Sequence, residues 1–348
     1  MNSSYQSLSN STSSFDLEPG TQTFLSFFES YLSDLLDNLE QPVRDLAKHV
    51  CLSGGKRIRP FLVYTCGVGK ASTEDLLKAS AVIELIHVAT LVHDDILDSA
   101  DLRRGSVTLH SKFGEYPSIL LGDALFSFAL ELATDFPCTK ICKIVSTATR
   151  KTCAGEIQQT FSKNDFLLSS EDYFSIIQDK TGELFNASCS IGSFLSGADE
   201  TLIDIVGDFG TSLGLNYQIY DDLVDTFGNH DTFGKSLGSD FESGKVTLPL
   251  IILMESVTSK ERELLNTTLG INKHDFEFRN YLAELFKLHN IQESCISELQ
   301  NRFKQAKIIA SNIPDNALSL RLLKFIESFD FKIGKLISKS DPNFLALT

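Results

Sequence analysis

Between residues 72 and 98 the chain reads STEDLLKASAVIELIHVATLVHDDILD, and this stretch limits the folds open to it more than any other. Leu76, Leu77, Ala79, Val82, Ile83, Ile86 and Ala89 recur at the three-and-four spacing of one helical face. Ser72 and Thr73, ahead of Glu74 and Asp75, supply a cap and first-turn acids. The pattern predicts a long helix whose apolar face other elements must cover. It ends in DDILD, at the end of the helix where the dipole disfavours negative charge. Asp94 and Asp98 are four apart and share a face, roughly 40° and about 6 Å from each other, with Asp95 beside them. Carboxylates so close raise each other's pKa and oppose folding unless a hard cation sits among them. Mg²⁺ suits the position because it takes oxygen ligands and is commonly shared between carboxylates and substrate phosphates. Arg103 and Arg104 follow, with planar donor forks suited to phosphate oxygens. In an acidic chain, however, one such motif is by itself more often a solvated helix end than a metal site.

The remaining chain repeats the helical pattern. Residues 1–18, rich in Ser and Asn, read as a disordered tail, and residues 19–348 as one domain. Phe24, Phe27, Phe28, Tyr31, Leu32, Leu35, Leu36 and Leu39 mark a first helix that Pro42 ends. A second runs to Gly54 and Gly55, and Pro60 suits the first residue of a third. Further helices are predicted over 116–136, about 138–162, 171–196 and 199–227. A Gly-rich stretch at 227–249 is too long for an idle turn and favours a functional loop or lid. No run of alternating residues suggests a sheet, so the expectation is an all-α bundle of long helices in a single domain.

Charge narrows the function classes. Against 31 Lys and Arg stand 46 Asp and Glu, a net charge of −15, which argues against nucleic acid or an anionic membrane as the main partner. An anionic substrate would need local cations. The seven cysteines lack regular spacing and read as reduced thiols; Cys138 and Cys142 read as small core hydrophobes. No Lys or Arg precedes Arg44, and the longest unbroken apolar run, Leu248 to Met254, is too short to span a bilayer. A soluble cytoplasmic protein without a transmembrane segment is expected.

The helix predicted over 199–227 ends as the first does, in YDDLVD, where Asp221 and Asp225 share a face and Asp222 lies between them. If the two helices face each other, they form two carboxylate walls at the mouth of an apolar cavity. Lys56, Arg57, Arg59, Arg103, Arg104, Lys180, Lys235 and Lys245 flank these acids. Singly each reads as a surface cation; as a set they suit diphosphate groups.

The motifs GGKRIRP at 54–60, IHVATLVHDDILD at 86–98 with RRG at 103–105, KTG at 180–182, QIYDDLVD at 218–225, and GKSLGSD with GKVTLP within 234–249 occur in this order. In that combination the chain, from about residue 24 to its end, resembles the trans-type isoprenyl diphosphate synthases of the polyprenyl synthetase family. The resemblance implies an all-α fold around a deep central cavity, usually a homodimer, and about three Mg²⁺ ions per active site. By position, Asp94, Asp98 and Asp221 match metal-binding carboxylates, with Asp95, Asp222 and Asp225 supporting them in catalysis. Lys56, Arg59, His87 and Arg104 match the residues that bind isopentenyl diphosphate. Arg103, Lys180, Thr181, Gln218, Lys235 and Lys245 match the allylic diphosphate side, with Lys180 and Lys235 also counted among the catalytic set. On chemistry alone His87 is a core histidine and Gln218 a polar helix residue; the resemblance gives them roles. Residues 106–110 read SVTLH where the family often has Pro before Thr, and His110 is left unassigned.

The implied reaction is condensation of isopentenyl diphosphate with an allylic diphosphate. Ala89 and Thr90, five and four residues before Asp94, lie about 6–8 Å down the helix from the metal site. Bulky aromatics there stop chain growth early in the family, so these small residues predict a product of thirty carbons or longer; a geranylgeranyl diphosphate synthase is the alternative. Phe126 or Phe128 could supply a deeper floor. A class I terpene cyclase normally carries a different second metal motif and needs no second diphosphate pocket, whereas a non-catalytic helical subunit would show decayed acidic motifs.

Overall fold

In a computed structural model, which describes residues 19–103, 105–228, 238–272 and 275–338, the chain is all-α. The helices are α1 (Pro19–Leu36), α2 (Val43–Cys51), α3 (Ile58–Gly67), α4 (Thr73–Leu97), α5 (Leu109–Phe113), α6 (Glu115–Thr134) and α7 (Lys140–Phe161). There follow α8 (Ser170–Ile177), α9 (Glu183–Leu195), α10 (Glu200–Phe227), α11 (Ser239–Glu242) and α12 (Leu248–Ser256). The last four are α13 (Ser259–Asn272), α14 (Phe276–Leu288), α15 (Ile291–Ser311) and α16 (Asn316–Ser338). Among the described residues the sole sheet is a hairpin of Leu102–Arg103 against Ser106–Val107. It follows the first acidic motif, between α4 and α5. The N-terminal tail lies outside the described residues.

Local chemistry sets the key boundaries. Ser72 caps α4 as the sequence suggests, its hydroxyl accepting from the Asp75 amide at 3.0 Å. Asp199 does the same for α10, accepting from the Leu202 amide at 2.8 Å. α3 starts two residues before Pro60, with Arg57 at its N-cap in the left-handed region, φ 47°.

α4 is nearly covered by its neighbours: Leu76, Ala79, Val82, Ile83, Ile86, Ala89 and Val92 all belong to one core cluster with α1, α2, α6 and α7. A second cluster joins α3 and α8–α10 to the C-terminal helices. α9 packs against α3, α4, α7 and α10. By length and composition α4 and α6 could each cross a membrane, although 67% of the most apolar window of α4 is buried in the fold, against 39% for α6. Single polar residues interrupt both, so neither contains a long unbroken apolar run.

One predicted helix is two. Over 171–196 the chain forms α8 and α9 joined by a π-helical turn, Gln178–Gly182. α7 packs directly against this turn: a Cβ at Gly155 would come within 2.5 Å of the Lys180 amide nitrogen, so glycine is needed for the close approach. The turn carries KTG, and such turns often mark functional positions.

Candidate active site

The first acidic wall is the end of α4. Asp94 lies in its last turn and Asp98 is its C-cap, and no basic residue of that turn offsets them. Their partners come from elsewhere. Lys245 donates to Asp98 Oδ2 at 2.7 Å, Lys163 lies 3.6 Å from Oδ1, and Lys180 lies 3.8 Å from Asp94. Burial would raise the Asp98 pKa, but Lys245, Lys180 and Lys163 outweigh it and hold the carboxyl below its ordinary value. Asp94 is pushed up to about 6 by burial, with Glu156 and Asp98 adding to the shift and Lys180 opposing it.

Asp95 turns aside. It accepts from Arg103 Nε at 2.6 Å, and burial, partly offset by that arginine, raises its pKa. The pair fastens the hairpin to α4. Arg104 lies outside the described residues.

The second wall is the end of α10. Asp225 accepts from the Ser239 hydroxyl at 2.9 Å and the Asp240 amide at 3.1 Å, holding the start of α11. Burial and the charge of Asp240 push it up to about 7. Lys245 lies 3.6 Å from Asp240 and so bridges that residue to Asp98. The pKa of Asp240 is raised by burial, opposed by Lys245 and reinforced by Asp221 and Asp98, so the two motifs do face each other. Asp240 had no assigned role, although it closes the quoted GKSLGSD; its charge next to both walls is visible only in the fold.

Asp222 points into the core. Thr181 donates to Gln218 Oε1 at 2.8 Å, Gln218 Nε2 donates to Asp222 Oδ1 at 2.7 Å, and Tyr173 donates to Asp222 Oδ2 at 2.7 Å. Asp222 thereby orients Gln218 and Thr181, and burial followed by the Asp240 charge raises its pKa strongly. Lys180 pairs with Glu156 and donates to Gln159 Oε1 at 2.8 Å. Glu156 and Gln159 stand in none of the sequence motifs; their spacing of three on α7 places them on one face. Tyr173 left no such signal. Lys235 lies outside the described residues.

A separate cationic group lies around the start of α3. Lys56 Nζ is 3.4 Å from the Tyr217 hydroxyl, and Arg59 Cζ lies 4.8 Å over the Phe185 ring, itself 5.7 Å from Tyr217. Arg57 is no surface cation. It is 5% exposed, donates to Glu29 and Glu84 at 2.6 Å each and to the Cys51 carbonyl at 2.7 Å, and so fixes the backbone between Lys56 and Arg59. His87 lies on α4 seven residues before Asp94, about 20° off the same face. One turn after His87, Thr90 donates to its carbonyl at 2.7 Å, and Ala89 is fully buried. Phe126 packs against His93 at 5.8 Å, and the His93 ring fills the space over Gly122, where a Cβ would clash.

Among the described residues no three His, Cys, Asp or Glu side chains close into a metal cage of their own. The donor set nevertheless suits a shared hard cation. Asp98 Oδ1 is buried without a hydrogen bond, and Asp94 is crowded enough to lose its ordinary acidity. Mg²⁺ taking part of its shell from a diphosphate needs only such a partial set.

A sequence model described as Polyprenyl synthetase matches residues 40–285. The octaprenyl diphosphate synthase of Escherichia coli is 33% identical over 241 residues, 68% of this chain and 74% of that protein. The short chain isoprenyl diphosphate synthase of Methanocaldococcus jannaschii is 36% identical over 229 residues, 64% of this chain and 70% of that one. The crystal structure of a Caulobacter crescentus polyprenyl synthase, complexed with calcium and isoprenyl diphosphate, superposes with a TM-score of 0.80 at 31% identity, covering 88% of this chain and 94% of that one.

Proposed function

The chain belongs to the polyprenyl synthetase family and is a trans-prenyltransferase, and from that premise we propose that it condenses isopentenyl diphosphate with an allylic diphosphate into a product of thirty carbons or longer. The observation that carries the reading is the joining of both acidic motifs by Lys245 and Asp240, with a second cationic group beside Tyr217. That is one site for a departing diphosphate and another for a retained one.

Asp94, Asp98 and Asp221 would hold Mg²⁺, which when bound supplies Lewis-acid charge against the allylic diphosphate. Lys180 and Lys245 add fixed positive charge where negative charge collects as the C–O bond breaks. Both are held by carboxylates until a diphosphate arrives to share them. Thr181 and Gln218, oriented by Asp222, complete the allylic side. Arg103, paired with Asp95, stands at its edge. Lys56, Arg59 and His87 hold isopentenyl diphosphate so that its double bond meets the allylic carbon. Proton loss to the departing diphosphate then completes the unit without a protein base. The apolar face of α4 excludes water from the cation.

Product length follows from what lies before Asp94. Ala89 and Thr90 leave the growing tail room to pass, which favours a long product over the twenty carbons of a geranylgeranyl diphosphate synthase. The relatives include both octaprenyl and short chain enzymes, so this residue argument is what separates the two.

A homodimer fits the surface of α6. Tyr116 is 82% and Leu120 67% exposed, and Ile119 lies on the same face of α6 and is exposed too. A patch of this kind is normally covered. All seven cysteines are free, in keeping with a cytoplasmic setting.

Purified chain given labelled isopentenyl diphosphate and farnesyl diphosphate should incorporate label only when Mg²⁺ is present, and chelation should stop it. Consumption of the allylic substrate alone would instead identify a cyclase.

A further inference from the structure

The loop between α7 and α8, residues 162–169, stands in none of the sequence motifs, yet it reaches both sides of the bond between Lys245 and Asp98. Lys163 lies 3.6 Å from Asp98 Oδ1. Asn164, the next residue, donates its backbone N–H to the Gly244 carbonyl at 2.8 Å. The Lys245 N–H in turn donates to the Asp240 carbonyl at 2.9 Å. Both polar groups of the one peptide unit that leads into Lys245 are therefore held, and the loop holds one of them.

The close approach is built into both residues. Gly244 has φ +78°, and a Cβ there would come within 2.5 Å of Asn164 Oδ1, so the asparagine side chain lies directly on the glycine. Asn164 itself has φ 61°, in the left-handed region that Asn tolerates and β-branched residues do not. Two residues on, Phe166 anchors the loop in the second core cluster. On its other side the loop continues α7, whose Glu156 and Gln159 hold Lys180. α7 and the loop after it thus grip both Lys180 and Lys245, although neither lysine belongs to them.

We propose that Asn164 is a positioning residue for the reaction: in its left-handed conformation it fixes the Gly244–Lys245 peptide and so sets where the Lys245 ammonium stands relative to the departing diphosphate. This rests on the reading that Lys245 serves the allylic side. The loop leaves the charge of Lys245 as it is and fixes its aim. Misplacing such a group by about 1 Å can cost on the order of a hundredfold in rate.

The test is a double-mutant cycle between Asn164 and Lys245, read by steady-state kinetics with farnesyl and isopentenyl diphosphates each varied in turn at saturating Mg²⁺. Asn164→Val, which disfavours the left-handed conformation, should lower kcat/KM for farnesyl diphosphate by about fivefold or more, with KM for isopentenyl diphosphate within about twofold. Asn164→Gly keeps that conformation open and should stay within about twofold of wild type. Added to Lys245→Gln, Asn164→Val should cost nothing more, because its effect passes through the lysine. Losses that multiply in the double variant, wild-type allylic kinetics in the Val variant, or a Gly variant as impaired as Val each overturn the proposal. If Asn164→Val does not fold, Asn164→Ala carries the milder penalty of a single Cβ and makes the same comparison. A Lys245→Gln variant with unchanged allylic kinetics overturns the underlying reading of Lys245, and the role of Asn164 with it.

Discussion

Lys245 Nζ donates to Asp98 Oδ2 at 2.7 Å across 147 residues of sequence, and this one bond ties the loop after the second acidic motif to the first. Lys245 is buried against its own charge, yet Asp240 and Asp98 raise its pKa and keep it an ammonium. On the proposed reading, an incoming diphosphate with Mg²⁺ would take over this cation. Lys245→Gln should raise KM for the allylic diphosphate and lower kcat by about tenfold or more, leaving KM for isopentenyl diphosphate within about twofold. Steady-state kinetics with each substrate varied in turn check this. Equal effects on both KM values would count against assigning Lys245 to the allylic side.

Asp94 at about 6 and Asp225 at about 7 both lie above the ordinary carboxylate value of 3.8. A raised folded pKa contributes stability that is present at low pH and is lost as pH rises through the folded value. Without divalent metal, Tm should therefore fall as pH rises from about 4 to about 7, between the ordinary carboxylate value and these two folded values. Mg²⁺, which needs the ionised forms, should raise Tm more at about pH 8 than at about pH 5.5. Asp225→Asn should flatten the metal-free profile. Scanning calorimetry across the range reads all three outcomes.

Tyr173, Asp222, Gln218 and Thr181 form one buried hydrogen-bonded line. Tyr173→Phe leaves Asp222 Oδ2 without its donor, at a cost of about 1–3 kcal/mol. Gln218 then loses its fixed orientation. The variant should unfold at lower denaturant concentration and show a raised KM for the allylic substrate. Denaturant unfolding together with kinetics measures both, and an unchanged allylic KM would reduce the line to a packing role.

Arg57 bridges Glu29 on α1 and Glu84 on α4 while fixing the turn between Lys56 and Arg59. Glu84→Gln removes one partner of a buried pair and should destabilise the protein by about 3–5 kcal/mol. At a temperature where the variant remains folded, KM for isopentenyl diphosphate should rise more than that for the allylic substrate. Thermal denaturation and paired kinetics decide it.

Much of this site is written locally. α4 and α10 announce themselves through apolar spacing, caps and terminal acids, and the order of the motifs carries the family. Other parts depend on approach between distant residues. The π-helical turn at Gln178–Gly182 escapes a periodicity reading because five residues are too few to separate its pitch from that of an α-helix, and its close neighbour, Gly155, lies on another helix. Asp221 and Asp222 are neighbours in YDDLVD, yet Asp222 is buried and accepts from Tyr173, a partner 49 residues away. Arg57 read as one of several flanking cations because its partners, Glu29 and Glu84, lie 28 and 27 residues away.

On the proposed reading, product length depends on Ala89 and Thr90 leaving the tail a way past the end of α4. The direct measurement is chromatographic analysis of the product made by purified protein from farnesyl diphosphate, isopentenyl diphosphate and Mg²⁺, beside the same reaction with Ala89→Tyr. The account predicts polyprenyl diphosphates of thirty carbons or more from wild type and a shorter product from the variant. A wild-type product that stops at twenty carbons, or an Ala89→Tyr product of unchanged length, would contradict it.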